Sequence, residues 1–200
     1  PSLKNGKYDH FQIDRAVDQI ISSTKSTINK KHLIIGCTTM PGYSDNLQTK
    51  LYPYGYTVSY NPEFIAQGSI LTDLSRPDIV LIGQADSVIG NRIKNIYEKL
   101  VVNNPSYHHM SRKEAEITKI ALNCFLTTKI AYANMIGDIA IASKVNPTNI
   151  LNAIGSDSRI GGKNLKYGFG FGGPCFPRDN RALAIYSKEK GVDGFVRKYN

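Results

Sequence analysis

The sequence predicts an α/β protein whose first half holds a parallel sheet and whose second half is helical. Three patterns carry this. Up to Val101, short apolar runs alternate with segments of helical spacing, as strands joined by helices do in a parallel sheet. From Ser111 one uninterrupted helical pattern begins, and beyond Asn146 further helical spacings follow. In order, Ile13 to Lys30 has helical spacing through Ala16, Ile20 and Ile21, and His32 to Cys37 reads as a buried strand. Ser44 to Leu51 is a short helix, Tyr56 to Tyr60 a strand, Asp78 to Gly83 another strand and Ser87 to Val101 a helix. Ligands on open parallel sheets sit beyond the carboxyl ends of the strands, where Thr38, Thr39 and Glu63 fall.

Ser111-x-x-Glu114 forms a capping box, and no proline follows until Pro147. One helix of about 33 residues, spanning ~50 Å, is therefore expected. Its apolar residues Ile117, Ile120, Ala121, Phe125, Ile130, Tyr132 and Ile136 cover more than one face, so it packs on several sides. Asn146-Pro147 opens a shorter helix that stops at Gly155. Asp179 to Lys190 carries Ala182, Leu183 and Tyr186 at helical spacing.

At 41% hydrophobic and 20% charged, with no apolar run near the roughly 20 residues of a membrane span, the composition suits a soluble enzyme and no membrane partner. Three cysteines at unrelated spacings, Cys37, Cys124 and Cys175, argue against a disulfide framework and against a metal site, and suit a reducing cytoplasm. The net charge of +9 comes without a run of five basic residues or an aromatic-studded basic motif, so no nucleic-acid partner is expected. An anionic small substrate or a solvated basic surface accounts for it equally well.

The stretch Gly168 to Asp179 reads Gly-Phe-Gly-Phe-Gly-Gly-Pro-Cys-Phe-Pro-Arg-Asp. Its glycines let the backbone approach a ligand and expose amide N–H groups. Cys175 stands just before a helix, where the positive end of the helix dipole and the Arg178 charge favour a thiolate nucleophile. On its own it reads equally as a small buried hydrophobe beside a turn. Gly168-x-Gly170-x-x-Gly173 also satisfies the dinucleotide fingerprint, with Asp193 about 20 residues on. That match is rejected, because Ile160 to Tyr167 is too polar and glycine-rich for the buried strand the fingerprint requires.

Asn61-Pro62-Glu63-Phe64 and Glu116-x-x-Lys119-x-x-x-Asn123 stand upstream of the cysteine loop. With Thr38-Thr39-Met40-Pro41, Asp157-Ser-Arg-Ile-Gly161 and Gly170 to Asp179, they make the chain resemble the nucleotide-sugar dehydrogenase family over nearly its whole length. The resemblance implies the C-terminal half of a Rossmann-like NAD-binding domain over residues 1–108. Residues 109–200 are then a long connecting helix and an all-α dimerisation domain with the catalytic cysteine loop. It implies NAD as cofactor, a nucleotide-sugar substrate, a homodimer and a place in polysaccharide biosynthesis. The family's first βαβ unit and its C-terminal nucleotide-holding domain have no counterpart here, so the chain is expected to be an internal piece of a longer enzyme.

The reaction so implied is oxidation of the sugar C6 alcohol to a carboxylate, with Cys175 attacking an aldehyde and water releasing the thioester. Lys119 and Asp179 match the family's pair that polarises the reacting oxygen and manages protons. Asn123, one turn after Lys119, is placed to donate to the same oxyanion. Glu63 matches the acid that handles protons and the hydrolytic water, and also stands at the cofactor and substrate sites. Thr38, Thr39 and Arg178 match cofactor contacts. Phe64, Ile65 and the loop Lys166, Tyr167, Gly168, Phe169, Gly170, Phe171 and Gly172 match substrate contacts. Arg159 resembles the arginine that enters the neighbouring subunit's site.

Taken singly, Lys119 reads as a solvated lysine, Asn123 as a polar-face residue, Asp179 as an N-cap and Glu63 as a surface acid beside a turn proline. Departures from the family pattern are Arg178 where lysine is common, Gln67 for a frequent acid, and Met135 after Asn134 where glutamate is frequent. UDP-glucose is the first substrate expected, with GDP-mannose or a UDP-N-acetylhexosamine as alternatives. A dimerisation and binding module without turnover is the reading from a different class.

Overall fold

Every second residue of the central strands is driven inward from a different face. Leu81 packs with Val17, Ile35, Leu47, Leu51, Val58 and Tyr60, whereas its neighbours Val80 and Ile82 pack with Ile93 on the opposite face. Burial on both faces explains why these strands read as continuous apolar runs. The computed structural model describes residues 1–24, 30–66 and 68–192. Its elements are α1 (Phe11–Ser23), β1 (Lys31–Ile35), α2 (Tyr43–Leu51), β2 (Tyr56–Tyr60), α3 (Ile70–Ser75), β3 (Ile79–Gly83), α4 (Ser87–Leu100) and β4 (Ser106–Met110), followed by α5 (Arg112–Ala142), α6 (Pro147–Ser156) and α7 (Phe176–Glu189).

The four strands lie in the order β1-β2-β3-β4. β1 pairs parallel with β2 from Lys31↔Tyr56 to Ile35↔Tyr60, and β3 pairs parallel with β4 from Ile79↔Ser106 to Gly83↔Met110. The sheet is not parallel throughout, as the alternating pattern predicts: β2 and β3 meet antiparallel at Tyr60↔Gly83. β2 and β3 are joined by residues 61–78, which include the six-residue α3. At that junction a Cβ on Gly83 would stand 2.9 Å from Arg112 Cα and 3.1 Å from Tyr60 Cβ.

The predicted elements are otherwise present with shifted ends. α1 stops at Ser23, where the hydroxyls of Ser22, Ser23 and Thr24 donate to the carbonyls of Gln19 and Ile20 and so satisfy the helix end. Residues 25–29, which the predicted helix includes, lie outside the described residues, as do Gln67 and Asp193. α5 has 31 residues, about 46 Å. It opens on the capping box, with the Ser111 hydroxyl and N–H both donating to Glu114 Oε2. It closes through Lys144, in the left-handed region at φ 57°, with the Val145 N–H reaching back to the Ala140 carbonyl. Asn146 caps α6 through the Thr148 N–H.

The chain packs as two units. One contains Pro1 and Tyr8–Lys119, the other Ser2–Lys7 and the described residues from Ile120 onward. The division falls inside α5, between Lys119 and Ile120. Ala133, Leu151 and Leu165 form a core in the second unit. Among the described residues, no helix is long and apolar enough to cross a membrane.

Candidate active site

The residues of interest fall into one group in each unit. In the first, β2 runs into Asn61, whose side chain ties three elements together. Its Nδ2 donates to the Leu81 carbonyl, its Oδ1 accepts from Tyr97 Oη, and its backbone N–H donates to the Ile35 carbonyl. This fixes the start of Pro62-Glu63-Phe64. Lys119 is 8% exposed, and its ammonium donates to the Glu63 carbonyl at 2.5 Å and stands 4.2 Å from the centre of the Phe64 ring. Lys119 is thus a buried cation and not a solvated helix lysine. Glu63 itself and Ile65 are exposed. Pro62, Phe64, Ile65, Leu74 and Tyr97 line a shallow depression beside them.

Thr38 is half-buried beyond β1, but Thr39 is fully buried and its hydroxyl donates to Glu116 Oε1 at 2.9 Å. The same carboxylate accepts from the Gly42 N–H, the Ser44 N–H and the Ser44 hydroxyl. Glu116 was visible in the sequence only as the first letter of the Lys119 motif. On the other side of the segment, His10 Nε2 accepts the Met40 N–H at 3.2 Å, and burial pulls the pKa of His10 below its ordinary value.

In the second unit, Cys175 is exposed and is the N-cap residue of α7. The helix begins at Phe176, three residues before the predicted start, with proline in its first turn, so the thiol lies nearer the positive helix end than the sequence suggests. Asp179 is fully buried in the first turn and is not an N-cap. Its Oδ2 accepts from Asn123 Nδ2 at 2.7 Å and its Oδ1 from Arg178 Nε at 3.2 Å. The Arg178 charge expected to act on Cys175 is therefore paired with Asp179. Cys124, also near Asp179, is buried, and desolvation followed by the Asp179 charge pushes its thiol up to about 12.

The glycine loop is docked onto α5 at one end and open at the other. Asn134 Oδ1 accepts the Gly168 N–H at 2.9 Å and its Nδ2 donates to the Phe169 carbonyl at 2.7 Å, so one side-chain amide pairs with the loop as a strand would. Tyr167 donates to Asp138 at 3.0 Å, and its ring lies so close to α5 that a Cβ on Gly137 would overlap it. By contrast, among the described residues no neighbouring heavy atom lies within 4 Å of a Cβ built on Gly170 or Gly172. Lys166 and Phe169 are exposed, and the Phe171 ring meets Phe176 edge-on. Arg159, 86% exposed, grips Asp157 through Nε and Nη2, and this pair holds the Asp157 carboxyl below its ordinary range. Asn134 and Asp138 carry no motif of their own, and only their position opposite the loop marks them.

Two classes of ligand group can be tested against these residues. Among the described residues no cluster of three or more metal-ligating side chains exists. For a dinucleotide, the strand end at Gly36 and Cys37 is exposed, with only the Asn61 carbonyl within 4 Å of a Cβ on Gly36. That is room for a cofactor where open α/β sheets bind one. Gly168-x-Gly170-x-x-Gly173 has no strand leading into it, in agreement with its rejection as a fingerprint.

An α/β unit with an open strand end, followed along the sequence by a helical unit, is the build of a dinucleotide-dependent dehydrogenase. Residues 1–101 match the NAD-binding domain, and residues 113–198 the central domain, of the UDP-glucose/GDP-mannose dehydrogenase family. The chain belongs to that family, and NAD is its cofactor. It is 38% identical over 139 residues to the UDP-glucose 6-dehydrogenase of Pseudomonas aeruginosa, covering 70% of this chain and 31% of the relative. With the UDP-glucose 6-dehydrogenase of Rickettsia typhi it shares 34% over 201 residues, 99% of this chain and 45% of the relative. The structure of a UDP-glucose dehydrogenase from Pyrobaculum islandicum superposes with a TM-score of 0.90 at 28% identity, covering 100% of this chain and 46% of that one. The chain thus spans less than half the length of these relatives.

Proposed function

We propose that this chain carries the NAD-side and nucleophile-side residues of an enzyme that oxidises the C6 alcohol of a nucleotide sugar to a carboxylate, with UDP-glucose as substrate. The observation that carries the reading is Cys175, exposed at the N-cap of α7 in an open glycine loop, one turn from the buried Asp179 and its partner Asn123. When bound, NAD supplies the acceptor for the hydride lost in each of two oxidations.

Lys119 holds positive charge at the reacting oxygen, and the second Nδ2 proton of Asn123 donates to the oxyanion. The proton of the C6 hydroxyl leaves as the aldehyde forms. Cys175 Sγ then bonds to the aldehyde carbon while the oxygen gains a proton, giving a thiohemiacetal. Loss of hydride from that carbon, and of the proton from its oxygen, leaves a thioester. Water positioned by Glu63 adds to it, the C–S bond breaks, and the thiol recovers its proton as the carboxylate departs. Asp179 keeps Asn123 in register. The backbone from Tyr167 to Gly172, with Lys166, meets the sugar and diphosphate.

The active form is a homodimer. α5 exposes Phe125, Tyr132, Met135 and Ile139, spaced to share one face, where a second copy is accommodated, and the exposed Arg159 reaches the partner's substrate. The test is NADH formation on UDP-glucose, GDP-mannose and UDP-N-acetylmannosamine with the full-length chain. Two NADH per UDP-glucose and a carboxylate product support the reading. Preference for GDP-mannose or the N-acetyl sugar moves the substrate within the class. A folded dimer that binds nucleotide sugar but makes no NADH establishes a binding module instead.

A further inference from the structure

We propose that Glu116 is a positioning residue, which locks the cofactor-side segment Thr38–Ser44 to the helix that bears Lys119. This rests on the dehydrogenase reading above. Four donors converge on one fully buried carboxylate: Thr39 Oγ1, Ser44 N and Ser44 Oγ on Oε1, and Gly42 N on Oε2. A carboxylate has about four lone-pair sites; here three donors share Oε1 and one reaches Oε2, so both oxygens are satisfied. Burying such a group is costly unless it is satisfied in this way. The arrangement is therefore not incidental packing.

The place of the carboxylate is equally specific. The N-cap residue of α2 is Gly42, at φ 94°, which has no side chain to cap the helix; Glu116 supplies the missing acceptor from 72 to 74 residues away. Negative charge at that helix end is also favourable. The hydroxyl of Thr39 is drawn inward by the same oxygen, leaving Thr38 and the strand end at Gly36-Cys37 as the part open to a cofactor. Lys119 follows Glu116 by three residues on α5 and shares its side of the helix. One carboxylate therefore sets the distance between the segment flanking the cofactor and the cation at the reacting oxygen. A shift of about 1 Å in such a frame costs on the order of 10²-fold in rate.

The test compares Glu116→Gln with Thr39→Val and with Val17→Ala, a buried α1 residue outside the site that serves as a control of matched stability. Glutamine keeps the size but turns one oxygen into a donor facing N–H groups. NAD affinity is measured by calorimetry, turnover by NADH formation, and amide exchange at Gly42 and Ser44 by mass spectrometry, all on the full-length chain. The expected result for Glu116→Gln is NAD Kd raised about tenfold, kcat lowered ~30-fold, sugar KM within about twofold, and faster exchange at both amides. Thr39→Val, which removes one donor and remains foldable should Glu116→Gln not, shifts NAD Kd and kcat in the same direction by less.

Val17→Ala, at an equal loss of melting temperature, leaves both values unchanged. A folded Glu116→Gln with wild-type NAD affinity and kcat overturns the proposal, and so does a control that reproduces its losses. Wild-type protein that binds NAD but oxidises no nucleotide sugar sinks the functional reading, while the NAD arm still decides Glu116. Wild-type protein that binds no NAD overturns both.

Discussion

The segment Thr38–Ser44 and the loop Gly168–Cys175 serve the same proposed chemistry but are built in opposite ways. In the first, a buried carboxylate and a half-buried imidazole take up side-chain and backbone donors, and Thr39 has no exposed surface. In the second, Asn134 holds the backbone at Gly168 and Phe169, and from there to the cysteine at the helix end the residues are exposed except the half-buried Phe171. The difference teaches that the cofactor-side wall is made by gathering several donors onto one buried acceptor, whereas a nucleophile loop is made by leaving backbone amides for the ligand.

The comparison breaks most directly at the thiol. Cys175→Ser is expected to lower carboxylate formation by about 10³-fold or more while leaving the fold intact, as followed by NADH and product NMR. Turnover above a tenth of wild type would rule out the covalent route. The second contrast is between cysteines. Iodoacetamide at pH 8 should label Cys175 at least ~10²-fold faster than Cys124, because a thiol pushed up to about 12 is almost entirely protonated there. Mass spectrometry of the alkylated peptides reads both rates, and equal labelling would remove the case for a special microenvironment.

The anchors of the open loop come next. Gly137→Ala forces Tyr167 from its place against α5 and should cost about 1–3 kcal/mol, seen as a lower midpoint in urea. An unchanged midpoint would mean that Tyr167 moves aside freely. Asn134→Ala should release Gly168 and Phe169 and raise the sugar KM about tenfold with little change in NAD affinity, since it removes two hydrogen bonds of ~1 kcal/mol each. An equal rise in NAD Kd would show that the two segments are not separable.

The smallest effect concerns His10. Its folded pKa lies below the ordinary 6.5, so the unfolded chain binds more protons between the folded value and 6.5, and stability falls as pH drops through that window. His10→Gln should flatten part of the decline in melting temperature between pH 7.5 and pH 5. His32, whose pKa is also lowered by burial, accounts for a further part.

What the sequence made legible was local. The Ser111–Glu114 capping box, the Asn146 cap and the buried runs of β2 and β3 depend on neighbours within a few residues, and all are present, whereas β1, read as a buried strand, is an edge strand in which Ile35 alone is buried. β4, Ser-Tyr-His-His-Met, escaped because an edge strand exposed at three of its five positions needs no apolar run. The antiparallel junction escaped because it rests on a single residue pair, Tyr60↔Gly83, which leaves no periodicity in the sequence. Among the candidate site residues, Cys175 and Lys119 stood out by motif. Glu116 and Asn134 act on partners 34 to 77 residues away, a separation at which spacing carries no signal.

Gly83 carries a consequence for how this sequence can vary. It stands where the sheet reverses direction, with no room for a Cβ beside Arg112 and Tyr60. In a library randomised at single positions, Gly170 and Gly172 should tolerate many side chains as far as folding is concerned and lose only ligand binding. Position 83 should retain glycine alone, because any other residue wedges the sheet from the first turn of α5. Sequence drift in such a protein is therefore gated at this junction by geometry, and at the loop by selection on the ligand.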